Sequence, residues 1–196
     1  LLLDDGLLRA MAKAGFVGIG LTVESASPPV LRGLNKGFSA EEVYQAAEVV
    51  SRNRLPCLWI FLFGGPGETP RTVKETLAFA QYVIRPRDVA FFNTGIRVYP
   101  GTKLEKIARR QGVLGLPNRQ MLEPVFYISP EVKEEWIRAE VKSAMASHMN
   151  FIDGDSIGLT SLPAINSLSY RMGIRPPLWR YSRHIRRGLR SLGMQV

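Results

Sequence analysis

Leu55–Thr69, LPCLWIFLFGGPGET, leaves this chain few architectures to choose from. The unbroken apolar run Leu58-Trp59-Ile60-Phe61-Leu62-Phe63 has the length and aromatic content of a strand buried on both faces. It breaks into Gly64-Gly65-Pro66-Gly67, then Glu68-Thr69, and a helical pattern opens at Pro70. A buried strand, a glycine turn and a helix form half of a βαβ unit. In such units a ligand sits at the carboxyl end of the strand, where glycine lets backbone approach it closely.

The flanking segments extend the pattern. Asp4 or Asp5 caps a helix to about Ala14, with Leu7, Leu8, Met11 and Ala12 on one face. Phe16–Val23 reads as a short buried strand, with Glu24-Ser25 at its carboxyl end. A helical turn follows Pro28-Pro29 and ends near Asn35-Lys36-Gly37. Ser39 and Glu42 fit a capping box that opens a helix to about Arg52. After the central strand, a helix over Pro70–Ile84 leads to a strand over Asp88–Val98. The turn Tyr99-Pro100-Gly101-Thr102 then opens a helix to about Gln111.

Strands alternate with helices, which predicts an α/β fold with parallel strands. Three strands are few for a parallel sheet that must be covered on both faces. With the start at Leu1 inside an element, this leads us to expect that the front of the fold lies outside this sequence. The alternative is a small complete three-layer domain. Beyond Gly112, Val113–Pro130 reads as loop with a short strand at Pro124–Ile128. A helix over Glu131–His148 follows, then a polar linker at Asn150–Gly158, and helices near Ser161–Met172 and Pro177–Leu192. The organisation expected is 1–112 for the sheet, 113–156 for a loop and helix extension, and 157–196 for a helical tail.

Charge is concentrated at the end. The chain carries +9 overall, and from residue 157 onward it has seven arginines, no lysine and no acid, leaving +2 for the first 156 residues. Nucleic-acid binding by the main body is therefore not expected. Within the tail, Leu178, Tyr181, Ile185, Leu189 and Leu192 recur at helical spacing among Arg180, Arg183, Arg186, Arg187 and Arg190. Such a basic amphipathic helix docks its apolar face on the body with its arginines solvated, lies on an anionic membrane surface, or grips an acidic partner. No apolar run reaches the roughly 18–20 residues of a membrane span, and Leu1-Leu2-Leu3 is too short for a secretory signal. Cytoplasmic location, with membrane association through the tail as the alternative, is the expectation.

Few residues suggest chemistry on their own. Glu24, at the end of an apolar strand, is costly there unless it has a partner or ligand; the alternative is a surface-loop glutamate. Lys36 could present a cation to an anionic ligand, or simply be solvated. Gly64–Gly67 could offer backbone N–H groups to a ligand, or serve only as a tight connection. The turn is not a phosphate-binding P-loop, because no lysine occurs between Arg54 and Arg71. Cys57, the one cysteine, reads as an inert buried thiol. His148 and His184 do not make a metal site.

Four segments occur together in a known order: GLTVES at Gly20–Ser25, LRGLNKG at Leu31–Gly37, GGPGET at Gly64–Thr69 and YPGT at Tyr99–Thr102. This arrangement resembles the second half of radical S-adenosylmethionine (radical SAM) enzymes, and most of all those that carry an amino-terminal cobalamin-binding domain. The resemblance implies the rear half, strands four to six, of an open (β/α)6 partial TIM barrel. It implies that Glu24, with Ser25 beside it, contacts S-adenosylmethionine (SAM) and that Lys36 meets its methionine carboxylate. It implies that the turn Gly64, Gly65, Pro66, Gly67 and Glu68 packs near the adenosyl and methionine groups. It also implies that Arg97, Val98 and Tyr99 lie against the adenine. A [4Fe–4S] cluster would need three cysteines, which this sequence lacks, so the cluster would be held by a part outside it, the N-terminal half of the same protein. The cobalamin-binding histidine motif is absent too, so cobalamin is implied only for the intact protein. The substrate, a small molecule or a lipid-like one, is not legible. The competing expectation is a non-catalytic module that binds a nucleotide-like ligand or a membrane.

Overall fold

The computed structural model describes residues 3–114, 124–156, 162–174 and 176–193. Its elements in chain order are α1 (Asp5–Lys13), β1 (Ile19–Glu24), α2 (Pro28–Gly33), α3 (Ala40–Arg52), β2 (Cys57–Phe63), α4 (Pro70–Val83), β3 (Val89–Thr94) and β4 (Ile96–Val98). They continue with α5 (Lys103–Arg110), β5 (Val125–Tyr127), α6 (Glu134–Ser147), β6 (Phe151–Asp153), α7 (Leu162–Arg171) and α8 (Ser182–Ser191). The helix starts follow their caps. The Asp4 carboxylate accepts from Leu7 N–H at 2.7 Å, and Ser39 with Glu42 forms the capping box expected for α3. Thr69 with Thr72 does the same for α4, where Pro70 takes a first-turn position that needs no N–H donor.

The main sheet has the order β1-β2-β3-β6 and every pairing is parallel. Its fourth strand corrects the expectation of a polar linker at Asn150–Gly158. β6 is only three residues long, too short to show a period. Phe151 is fully buried and meets Phe92 of β3 edge-to-face at 5.1 Å, a geometry worth about 0.5–1.5 kcal/mol beyond the buried area. The strand expected over Asp88–Val98 is in fact two. Gly95, at φ +90°, turns the chain out of the main sheet, and β4 pairs antiparallel with β5 instead.

β2 alternates where burial on both faces was expected. Cys57, Trp59, Phe61 and Phe63 are fully buried, while Leu58, Ile60 and Leu62 are only half-buried. The buried set packs with Val43, Ala47 and Val50 of α3, Val73, Leu77 and Phe79 of α4, and Ile137, Val141 and Ala144 of α6. These helices therefore line one face of the sheet, and the opposite face stays partly open. An apolar run cannot distinguish the two faces, because both are hydrophobic.

The amino ends of the strands are closed by polar contacts. Asp88, fully buried, accepts two bonds from the Arg85 guanidinium at 2.6 and 2.8 Å and one from Cys57 N–H at 2.9 Å. The tail reaches the same end, and not in the manner expected. Arg186 is 8% exposed, whereas Ile185 is 57% and Leu192 78% exposed. The Arg186 guanidinium donates to the carbonyls of His148, Met149 and Phe151, and Arg190 donates to those of Met145 and Ala146. Arginines thus take part in docking α8: Arg190 meets carbonyls of the last turn of α6, which have no partner within the helix and carry its negative dipole end, and Arg186 meets the carbonyls that follow. The side chain of Leu189 lies outside the described residues, as do residues 157–161 and 115–123, where much of the expected loop falls. No described helix is long and apolar enough to cross a membrane.

Candidate functional site

At the carboxyl end of β1 the backbone takes an unusual path. Glu24 sits at φ +63°, and the pairing of β1 with β2 slips between Thr22 and Glu24. A positive φ at a residue with a side chain is uncommon and costs free energy. The result turns a carboxylate off the strand end and toward Lys36, whose ammonium lies 3.2 Å from Glu24 Oε1. Both side chains are mostly shielded, at 17% and 23% exposed. Lys36 also lies over the Phe38 ring at 5.3 Å from its centre.

This pair lines a cavity of about 480 Å³ whose wall also includes Gly33, Leu34, Asn35, Leu62, Pro66, Ile96 and Thr102–Leu104 with Ile107. Leu62 comes from the open face of β2, so the cavity sits over the strand ends on the side that the helices leave uncovered. A cavity of this size is in the range that holds a small organic ligand. Its floor is apolar and its charged groups are Glu24, Lys36 and Lys103. One carboxylate facing an ammonium, with a second ammonium nearby, suits a ligand that carries both signs of charge.

The glycine turn contributes shape. Gly64 adopts φ +91°, and its N–H donates to the Glu68 carboxylate at 3.2 Å, away from any ligand. Glu68 is fully buried and also accepts from the Thr72 hydroxyl at 2.5 Å. Burial pushes its carboxyl up to about 7, against the lowering effect of those two bonds. The turn packs hard against α2. A Cβ at Gly33 would lie 1.9 Å from the Pro66 carbonyl oxygen, so only glycine permits this approach. α2 leads directly into Asn35 and Lys36, so the turn and the charged wall are one packed unit.

Of the residues singled out from the sequence, Glu24, Lys36 and Pro66 meet in the cavity. Ser25 turns inward and is 1% exposed, bonded to Thr76 of α4 at 2.9 Å. Arg97 is exposed and lies over the Tyr99 ring at 4.9 Å. Val98 is buried with Ala108 and Tyr127. In that strand it is Ile96 that reaches the cavity, and the first turn of α5 joins it. Strand alternation could have nominated Ile96, since Val98 shares its face. The α5 contribution had no local signal, because it depends on β4 leaving the main sheet.

The residues present do not fit an iron–sulfur cluster. Such a cluster needs three thiolates, and the one cysteine, Cys57, is fully buried at the amino end of β2 with its thiol pushed far up by burial. Among the described residues no group of three His, Cys, Asp or Glu could hold a metal ion.

Comparison with known proteins bears on this geometry. Residues 1–80 match the family model of the Radical SAM superfamily. An uncharacterized methyltransferase of Pyrococcus horikoshii is 29% identical over 112 residues, 57% of this chain and 24% of that protein. Two structures of the radical SAM methyltransferase TsrM from Kitasatospora setae share the fold. One, with cobalamin and a [4Fe–4S] cluster bound, has a TM-score of 0.69 at 21% identity and covers 97% of this chain and 43% of that one. The other, with tryptophan substrate and the SAM analogue aza-SAM bound, has a TM-score of 0.70 at 19% identity, covering 98% and 45%. The chain thus spans about a quarter of the curated relative and under half of the solved chains. The first 80 residues are thus similar to the Radical SAM superfamily, and the chain shares with the solved methyltransferases an α/β fold built on a parallel sheet.

Proposed function

We propose that this chain is the rear part of a radical SAM enzyme and that its cavity binds SAM. In this reading β1, β2 and β3 are strands four to six of an open (β/α)6 barrel. The observation that carries it is the Glu24–Lys36 pair in the cavity over the strand ends. The methionine end of SAM is a zwitterion. Its carboxylate would meet Lys36 and its ammonium would meet Glu24, each replacing half of the present ion pair. The Gly64–Glu68 turn would set the depth of the pocket through Pro66. Backbone at Arg97–Tyr99, with Ile96, would lie against the adenine.

When bound, SAM supplies an activated methyl group and, on reduction, a 5′-deoxyadenosyl radical. The residues described here bind and orient it. Leu62, Leu34 and Ile107 form the apolar wall that would exclude water from it. No thiolate set for a [4Fe–4S] cluster is present, so the cluster belongs to another part of the intact protein and no cluster step is assigned to these residues. Methyl transfer, with cobalamin in the intact enzyme, is the reaction class that the names of the relatives support. Exposed Ile185, Leu192 and Arg187 support a separate role for the tail at an anionic membrane surface; flotation with anionic vesicles tests that role.

Isothermal titration of SAM into the intact protein tests the site. Glu24→Ala and Lys36→Ala should each weaken binding by about tenfold or more, as expected when a charged hydrogen-bond partner is lost. Unchanged affinity in both variants would refute the assignment.

A further inference from the structure

Glu24 is the central residue of a three-residue turn. Ser25 N–H donates to Val23 C=O at 2.7 Å, across a residue at φ +63°. The positive-φ form of this turn is the rare and strained one. It persists only if neighbouring contacts hold it, and α4 supplies those contacts.

The Ser25 hydroxyl bonds the Thr76 hydroxyl at 2.9 Å and accepts from Ser27 N–H at 3.0 Å. The same Thr76 oxygen accepts from Ala26 N–H at 3.2 Å. The Ser27 hydroxyl donates to Glu75 at 2.6 Å. Ser25, Ser27 and Thr76 are at most 1% exposed. Three residues that follow Glu24 are thus bonded to two consecutive residues of α4. A loop could be attached to a helix without strain. Here the strain falls on the one residue whose carboxylate faces the cavity.

We infer that Ser25 and Thr76 are positioning residues whose buried hydroxyl clasp holds Glu24 in its left-handed turn and so aims its carboxylate at the Lys36 ammonium. The functional consequence rests on the reading of the cavity as the SAM site, whereas the conformational coupling does not. Without the clasp, residue 24 relaxes to negative φ and its side chain swings along the strand.

The test compares Glu24→Gly with Glu24→Ala in two backgrounds of the intact protein. Both variants remove the carboxylate, and they differ in tolerance of positive φ. With Thr76 present, the glycine variant should melt about 2–6 °C higher than the alanine variant, the reverse of their usual order in a strand. In a Thr76→Val background the gap should close, because the alanine variant is then free to relax at position 24. Ser25→Ala, which removes the same bond from the strand side, replaces Thr76→Val if that variant does not fold. An equal gap in both backgrounds overturns the clasp. SAM titration supplies the second arm. Thr76→Val should weaken binding about tenfold, Thr76→Ser should restore it, and Thr76→Val should add nothing in a Glu24→Ala background. A further loss in that background overturns action through Glu24. Absence of SAM binding by the unaltered protein overturns the SAM reading alone, and the melting comparison still decides the clasp.

Discussion

Gly33→Ala puts a number on how tightly the glycine turn and the charged wall are joined. The added Cβ would lie 1.9 Å from the Pro66 carbonyl oxygen and 2.7 Å from its carbon, where ordinary contact begins near 3.4 Å. The turn and α2 must therefore part by about 1.5 Å. The obstacle is backbone, which cannot swing aside as a side-chain tip can. Overpacking of this kind costs about 1–3 kcal/mol, and the upper end applies to a rigid neighbour. Alanine is also the better helix former, which offsets at most about 1 kcal/mol. The net expectation is a loss of about 2 kcal/mol, roughly 30-fold in the folding equilibrium. Urea unfolding should show a lower midpoint with an unchanged slope. Gly37→Ala is the control. It has no heavy atom within 4 Å of the added Cβ, so it should stay within about 0.5 kcal/mol of the parent. SAM affinity should fall in Gly33→Ala alone, since Lys36 moves with α2. A Gly33→Ala protein as stable as the parent would refute the packing of α2 on the turn.

Other outcomes follow from the same contacts. Asp88→Ala leaves the Arg85 guanidinium with backbone carbonyls but no counter-charge, and Cys57 N–H without its acceptor, and should cost about 3–5 kcal/mol in urea unfolding. Glu48→Ala, which removes an exposed partner of Arg52 at 3.9 Å, should cost at most about 1 kcal/mol. Arg186→Ala should release the tail, read as faster proteolysis within residues 176–193 and a loss of about 2–3 kcal/mol. Arg186→Lys should not rescue it, because one ammonium cannot span three carbonyls. The Glu68 carboxyl, pushed up to about 7 in the folded state, is an acid with a raised value. Its stabilising contribution is full below the unfolded value near 4.5 and is lost as pH rises through 7. Unfolding measured at pH 5.5 and 8 should show a steeper decline in the parent than in Glu68→Gln; equal slopes would refute the burial of that carboxyl in the folded state.

Much of the frame was legible in sequence because it depends on local chemistry. Ser39 with Glu42, Asp4, and Thr69-Pro70 mark helix starts through bonds that span three residues, and those starts are where the structure has them. The run at Leu58–Phe63 is a strand by length and composition alone. β6 was not legible. Three residues give no period, and its stability comes from Phe151 meeting Phe92, a contact 59 positions away in the chain. The docking of α8 was misread for a related reason. Amphipathic spacing ranks side chains by hydropathy and carries no record of the backbone carbonyls, at the end of α6 and in β6, that Arg190 and Arg186 reach.

The candidate site divides along the same line. Its residue types were visible: a carboxylate after an apolar strand, a lysine after a helical turn, a glycine-rich connection. What tertiary structure decided is their geometry. Glu24 faces Lys36 because a positive-φ turn is held from α4, and that turn has no sequence signature at Glu24 itself. Gly64 sends its N–H to a buried carboxylate instead of a ligand. Ile96 and the first turn of α5 close the cavity because Gly95 takes β4 out of the sheet. Spacing along the chain determines which elements form. Which side chains share a cavity depends on how those elements pack and on the bonds that hold strained backbone, and both are settled between residues far apart in sequence.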